Sequence, residues 1–257
     1  FTSYNMIQMP KFIFMQNYIQ LFLTDELFII ALKNTMIFAI ATGPGSYFIS
    51  LITAWFLNEL SPRARSIVTF IFYAPSISGN AMLVWTLAFS GDSYGYVNGW
   101  LMKLGIISEP ILWFTNTKYI MPLCIVVSLW MSLGTSFLAF IAGFQGINHD
   151  MYEAAAIDGI KNRWQELWYV TLPSMKPQLM FGAVMAITGA FNFGGVVESL
   201  AGNPTTDYCA YTLTMHLNEY SGVRWEVGYA SAIAFIMFLL MFGSNMLIHK
   251  LLSKVGQ

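Results

Sequence analysis

The chain has 257 residues, of which 56% are hydrophobic, 16% aromatic and only 10% charged, and its mean hydropathy is +0.58. A soluble domain carries about a quarter charged residues to wet its surface, so this composition excludes an ordinary soluble globule and fits a polytopic membrane protein. A formal net charge of −1 leaves no basic surface for nucleic acid.

Cys124 and Cys209 make neither a disulfide framework nor a metal site, and Cys124 sits in an apolar run as a small core residue. His149, His216 and His249 are far apart in sequence, and no cluster has metal-ligand spacing. The chain starts at Phe1 with no initiator Met and no signal peptide, so an upstream segment is expected.

Residues 1–33 read as an external segment. Five stretches then have the roughly 20 apolar residues that a helix needs to cross hydrocarbon: Asn34–Leu57, Ser66–Ser90, Tyr119–Asn148, Gln178–Val197 and Val227–Ile248. Gly43-Pro44-Gly45 is expected to bend the first, where neighbouring helices can satisfy the freed carbonyls. Arg63, Arg65, Lys161, Arg163, Lys176, Lys250 and Lys254 fall on one side. Lys11, Lys33, Lys103, Lys118 and Arg224 fall on the other, which also carries more acids. The positive-inside bias therefore puts the loop after Leu57, the Asn148–Pro177 loop and the C-terminus in the cytoplasm. The N-terminus and the 91–118 and 201–227 loops face outward. These outer loops are rich in Gly, Tyr, Trp and Asn, a composition that suits either contact with a protein or polar ligand or an interfacial aromatic belt.

Polar groups inside a bilayer are costly and often line cavities. Ser78, Asn80, Asn192 and Glu198 are candidates for a substrate path, and Trp85 and Trp130 have faces on which sugar rings can stack. Packing or interface anchoring is the weightier reading of each tryptophan. Gly182, Gly189, Gly194 and Gly195 allow close helix approach in the fourth stretch.

The inner loop from Asp150 to Pro173 is more organised than a tether. Asp150 is a candidate N-cap, with Glu153 at the matching position of a capping box. Ala154, Ala155 and Ala156 are strong helix formers, and Gly159 can take the left-handed conformation that ends a helix. Asn162 can cap a second helix, in which Trp164, Leu167, Trp168 and Thr171 share one face expected to pack on the protein's own spans. Leu172-Pro173 is expected to stop it.

Glu153-Ala154-Ala155, then Gly159, then Val170-Thr171-Leu172-Pro173 resembles the EAA loop of ABC-importer permeases. It departs from the family pattern by one extra residue between Gly159 and Val170, and by Val170 in place of Ile. Asn17-Tyr18 to Phe22, Asn34-Thr35 and Gly228-Tyr229-Ala230-Ser231-Ala232 are similar to segments of the carbohydrate-uptake subgroup, in particular the subunit type represented by the larger permease of the maltose importer.

This resemblance implies an all-α polytopic protein with the ABC type I importer permease fold. Five of the usual six core transmembrane helices are present: residues 34–257 form the permease domain, 149–177 its coupling loop, and 1–33 follow a missing first helix. It implies a permease subunit translocating a sugar or oligosaccharide in the bacterial cytoplasmic membrane. Its implied partners are a second permease, two ATPase subunits and an extracytoplasmic solute-binding protein. Coupling would fall to Glu153, Ala154, Ala155, Asp158, Gly159, Leu172 and Pro173. In such permeases the EAA helix sits in a groove of the ATPase, and Glu153 either pairs there with a basic residue or only completes its capping box. No GxxxxGK[ST] phosphate loop occurs in the chain, so no cofactor is expected on it and ATP-Mg belongs to the partners. Another polar solute (a polyol, a glycerol phosphate or a peptide) is the main alternative. A secondary transporter is less favoured, since internal repeats and multiple intramembrane charges are lacking.

Overall fold

A computed structural model describes residues 1–252; Lys254, one of the cations used to orient the chain, lies outside the described residues. Helix dominates, because a backbone in lipid must satisfy its own amides. A small antiparallel ribbon opens the chain, with β1 (Thr2–Ser3) pairing to β2 (Lys11–Phe12). Its exposed residues carry no alternating apolar pattern, so the sequence offers no strand signal there.

The helices follow as α1 (Gln16–Leu23), α2 (Glu26–Asn58), α3 (Pro62–Ile77), α4 (Ala81–Ala88), α5 (Tyr96–Lys103), α6 (Thr117–Met131) and α7 (Thr135–Gln145). Then come α8 (His149–Ile157), α9 (Arg163–Glu166), a π-turn (Leu167–Thr171), α10 (Leu172–Ser174), α11 (Lys176–Phe191), α12 (Gly194–Ala201), α13 (Leu213–Asn218) and α14 (Val227–Leu252). Among the described residues, three stretches are long and apolar enough to cross a membrane: Glu26–Asn58, Thr117–Gln145 and Val227–Leu252. Two broken pairs, α3 with α4 and α11 with α12, qualify when each is taken as one span. They correspond to the five expected passes. The first starts at Glu26 rather than Asn34, because the Asp25 carboxylate accepts the Phe28 amide at 2.9 Å and caps the helix earlier. It continues unbroken through Pro44 to Asn58.

The chain divides into two compact units. Residues 1–42, 79–128 and 190–241 form the first, which is stapled by buried asparagines. Asn17 Nδ2 donates to the Thr2 and Gly228 carbonyls, and Asn34 Nδ2 donates to the Tyr208 and Tyr211 carbonyls at 3.0 Å each. Beside it, the Thr35 hydroxyl accepts the Leu213 amide at 2.9 Å. Asn98, fully buried, donates to three carbonyls and accepts from the Ile111 amide and the Trp113 indole. Each asparagine fills carbonyl acceptors that would otherwise be left orphaned. Asn34→Leu removes both donors at once and should cost about 2–4 kcal/mol, taking 1–2 per abandoned acceptor. Thermal unfolding of the detergent-purified protein checks this, and an unchanged midpoint would contradict the staple.

The same unit holds a buried Asp25–His216–Tyr229 cluster. His216 Nε2 lies 3.0 Å from Asp25 Oδ2, which also accepts the Tyr229 hydroxyl at 2.7 Å. Burial lowers the basicity of His216, and the neighbouring Asp25 only partly offsets it. Burial pushes the Asp25 carboxyl up, but the Tyr229 and Phe28 hydrogen bonds and His216 together bring it below the usual carboxylate range. Both lowered values mean that the folded chain binds fewer protons than the unfolded one. Stability is therefore complete above about pH 6.5 and falls as pH drops through it, with a further loss at carboxylate pH. Melting midpoints at pH 7.5 and 5.5 should differ in that sense, and His216→Gln should flatten the difference between them.

Residues 43–78, 129–189 and 242–252 form the second unit. Its core gathers Ala54, Leu133, Phe137, Phe140, Leu172 and Met175, with Tyr47, Trp55 and Leu167 packed against it. Helices approach closely where residues are small. A Cβ on Gly182 would run into the Phe140 ring, while the Ser136 hydroxyl donates to the Gly182 carbonyl at 3.1 Å. Gly194, in the first unit, is likewise pressed against Thr212 and Thr214. Gly189 and Gly195 face open space, so close approach explains only two of the four glycines.

Candidate coupling site

The helix α8 starts earlier than its sequence suggests. Asn148, not Asp150, is the N-cap: its Oδ1 accepts the Asp150 amide at 3.2 Å, and its Nδ2 donates to the Asp150 carboxylate at 3.0 Å. Both residue types cap well. Once Asn148 does so, Asp150 falls in the first turn, where its charge favours the positive end of the helix dipole. The Asp150–Glu153 capping box therefore does not form. Glu153 is left 74% exposed, with His149 Nδ1 4.0 Å away. The structural role that competed with docking for Glu153 is removed.

The far end of α8 closes as expected. Gly159 has φ +96°, its amide donates to the Ala156 carbonyl, and the Ile160 amide donates to the Ala155 carbonyl. These paired reversed bonds are a Schellman turn. Ala155 is buried, and the Tyr152 hydroxyl meets Thr171 Oγ1 at 3.2 Å, so one face of α8 lies on the segment that follows. Glu153, Ala154 and Ile157, spaced along the opposite face, are exposed. Ile157 is 87% exposed. Sequence reasoning passed over Ile157 because an apolar residue beside three alanines reads as the buried face of a helix.

Asn162 caps α9 as expected, accepting the Gln165 amide at 2.9 Å, while the Gln165 side chain accepts the Lys161 amide. Of the expected packing face, Leu167 and Thr171 turn inward, but Trp164 and Trp168 are exposed. The π-turn Leu167–Thr171 widens the helix and shifts the buried phase to Val170, Thr171 and Leu172. Trp168 and Tyr169 are left outward. Trp164 keeps one contact with the protein's own spans, its ring centroid 4.7 Å from that of Trp55. Pro173 does not stop the segment: helical backbone continues to Ser174, because a π-turn already disturbs the ladder where proline lacks its donor.

Arg163, read in the sequence only as an orienting cation, ties this segment to the end of α2 by contacting Glu59 at 3.3 Å and Glu166 at 3.5 Å. Leu172 is inserted in the core of the second unit, and Pro173 beside it is half-buried. The residues expected to couple thus fall into two groups. Glu153, Ala154, Asp158 and Gly159 are outward, while Ala155 and Leu172 anchor.

Of the six substrate-path candidates, Asn80, Trp85, Asn192 and Glu198 lie in the first unit, where α4 packs against α12, and Ser78 lies in the second. Asn80 immediately precedes α4, with no side-chain capping bond, and Trp85 lies on the helix, stacked on Phe89 with centroids 5.6 Å apart. Asn192 stands in the break before α12, which carries Glu198. Trp130 belongs to the second unit and is not part of this group. Among the described residues, no cluster of His, Cys, Asp and Glu has the makings of a metal site.

Residues 13–256 match the family model described as binding-protein-dependent transport system inner membrane component. The chain is 32% identical over 247 residues to the probable ABC transporter permease protein YesP of Bacillus subtilis (strain 168), covering 94% of this chain and 77% of that protein. It is 28% identical over 225 residues to the lactose transport system permease protein LacF of Rhizobium radiobacter, covering 84% and 73%. Its fold matches a crystal structure of a bacterial ABC transporter involved in import of the acidic polysaccharide alginate, with a TM-score of 0.80 at 24% identity over 96% of this chain and 85% of that one.

Proposed function

The chain belongs to the binding-protein-dependent transport system inner membrane component family, and on that premise we propose that it passes a sugar or oligosaccharide through the bacterial cytoplasmic membrane as one permease subunit of an ATP-driven importer. Its place in a multi-pass inner-membrane family agrees with its apolar spans. The carbohydrate class is supported by the lactose permease among its relatives. In this reading the chain carries no nucleotide; ATP-Mg is bound and hydrolysed by two partner ATPases, a second permease completes the pathway, and an external binding protein delivers the solute.

The observation that carries the coupling role is the geometry of α8. One face is anchored by Tyr152 and Ala155. The other presents a carboxylate, a methyl-sized residue and an exposed isoleucine, which is how a short helix fills an apolar groove rimmed by positive charge. Push on α8 reaches the spans by two routes, Tyr152 to Thr171 and Arg163 to Glu59. Bifunctional cross-linking from Ile157→Cys in the assembled transporter should capture the ATPase subunit, and Trp168→Cys should do so far less. Capture from position 168 alone would reassign the docking face.

A further inference from the structure

The first unit contains a polar cleft that the coupling and translocation roles do not use. Its cavity measures about 390 Å³ and is lined by Tyr4, Asn5, Gln8, Gln16, Gln20 and Glu226, with Asn17 and Tyr229 among the residues behind them. A volume of this order suits a small ligand.

The cleft is built rather than incidental. Gln16 and Gln20 lie one turn apart on α1 and share its face. Asn17 binds the Thr2 carbonyl on the ribbon and the Gly228 carbonyl at the start of α14, and the Gly228 amide returns a bond to the Tyr4 carbonyl at 3.0 Å. A Cβ on Gly228 would strike the Thr2 carbonyl, so glycine is required for this approach. Tyr229 is held by Asp25. Ribbon, α1 and α14 are thereby fixed around the opening.

The lining is unspent. Among the described residues, the carboxamides of Gln8, Gln16 and Gln20 take part in no hydrogen bond, and Glu226 forms no ion pair. Each carboxamide offers two donors and an acceptor oxygen in one plane, which complements adjacent hydroxyls that both donate and accept. The single charge is a carboxylate, which repels anions. We propose that this cleft binds an uncharged saccharide on the face expected to be outward, as a receiving site separate from the membrane path. The inference rests on the carbohydrate reading for the biological source of its ligand, but the cleft's chemistry stands apart from it.

Saturation-transfer NMR on the complete transporter in nanodiscs, without binding protein, tests this with raffinose, maltotriose and galacturonate as probes. At least one neutral probe should receive saturation. Gln16→Leu with Gln20→Leu should weaken that signal about tenfold, the equivalent of roughly 1.4 kcal/mol or one to two hydrogen bonds. Glu226→Gln should keep the neutral signal and raise that of galacturonate. Uptake in the same preparation, measured with binding protein present, reports separately on the importer reading. Saccharide uptake with no neutral probe saturated, or with a signal indifferent to the double substitution, overturns the cleft and leaves the importer standing. A cleft-dependent signal without uptake does the reverse.

Discussion

Gly159→Val is expected to abolish solute-stimulated ATP hydrolysis while the protein still reaches the membrane. Gly159 holds φ +96°, and an added Cβ there meets no atom within 4 Å, so the penalty lies in the backbone alone. A branched residue in that region costs about 1–3 kcal/mol. The chain can avoid that cost only by giving up the Schellman turn made by the Gly159 and Ile160 amides. Because α8 has only nine residues, it is marginal on its own and depends on its ends. Loss of the turn frays the segment carrying Ala154 and Ile157. The expected outcome is at least about a tenfold loss of stimulated hydrolysis, the scale of one 1.4 kcal/mol contact. Glu153→Ala should give a smaller loss, since Glu153 makes no capping bond whose removal would unravel the helix. Wild-type stimulation in Gly159→Val would remove α8 from the coupling path.

Gly182→Val should instead deplete folded protein before coupling is reached. The new side chain enters space held by the Phe140 ring. That ring is fully buried and edge-on to Tyr47 at 5.3 Å, so it has nowhere to turn. Overpacking of this kind costs about 1–3 kcal/mol, and separation of the helices also strains the Ser136–Gly182 hydrogen bond. Size-exclusion yield and melting midpoint are the readouts. Phe140→Leu in the same chain should restore part of the loss, because contacting residues are not additive. Gly189→Val, with no neighbour within 4 Å, serves as the tolerated control.

The features that were legible in the sequence are local ones. Apolar runs mark the three long spans and the two broken pairs, Asn162 marks a helix start, and Gly159 marks a helix end. Each depends on a few adjacent residues. Asn148 against Asp150 was not legible, because two good caps two residues apart compete. The π-turn was not legible either. It moved Trp168 outward and let Pro173 remain helical, and no pattern at a period of 3.6 residues announces such a widening. The pairing of Asn17 with Gly228, separated by 211 positions, leaves no periodic trace at all. It gives a physical reason for two of the sequence fragments that resemble the family: Asn17-Tyr18 and Gly228-Tyr229 are two sides of one hydrogen-bonded joint. Asn34-Thr35 is a second joint, closed on Tyr208, Tyr211 and Leu213. The bonds made by Asn17, Gly228, Asn34 and Thr35 are architectural, and for that reason they left the solute unidentified.

The most direct test of the account is ATP-driven uptake by the chain reconstituted with its second permease, both ATPases and the binding protein. Labelled neutral oligosaccharide should accumulate in proteoliposomes only with ATP on the ATPase side and binding protein on the other, and Gly159→Val should stop accumulation while both ATPases still bind ATP. Accumulation driven by an ion gradient without ATP, or undiminished in Gly159→Val, would contradict it.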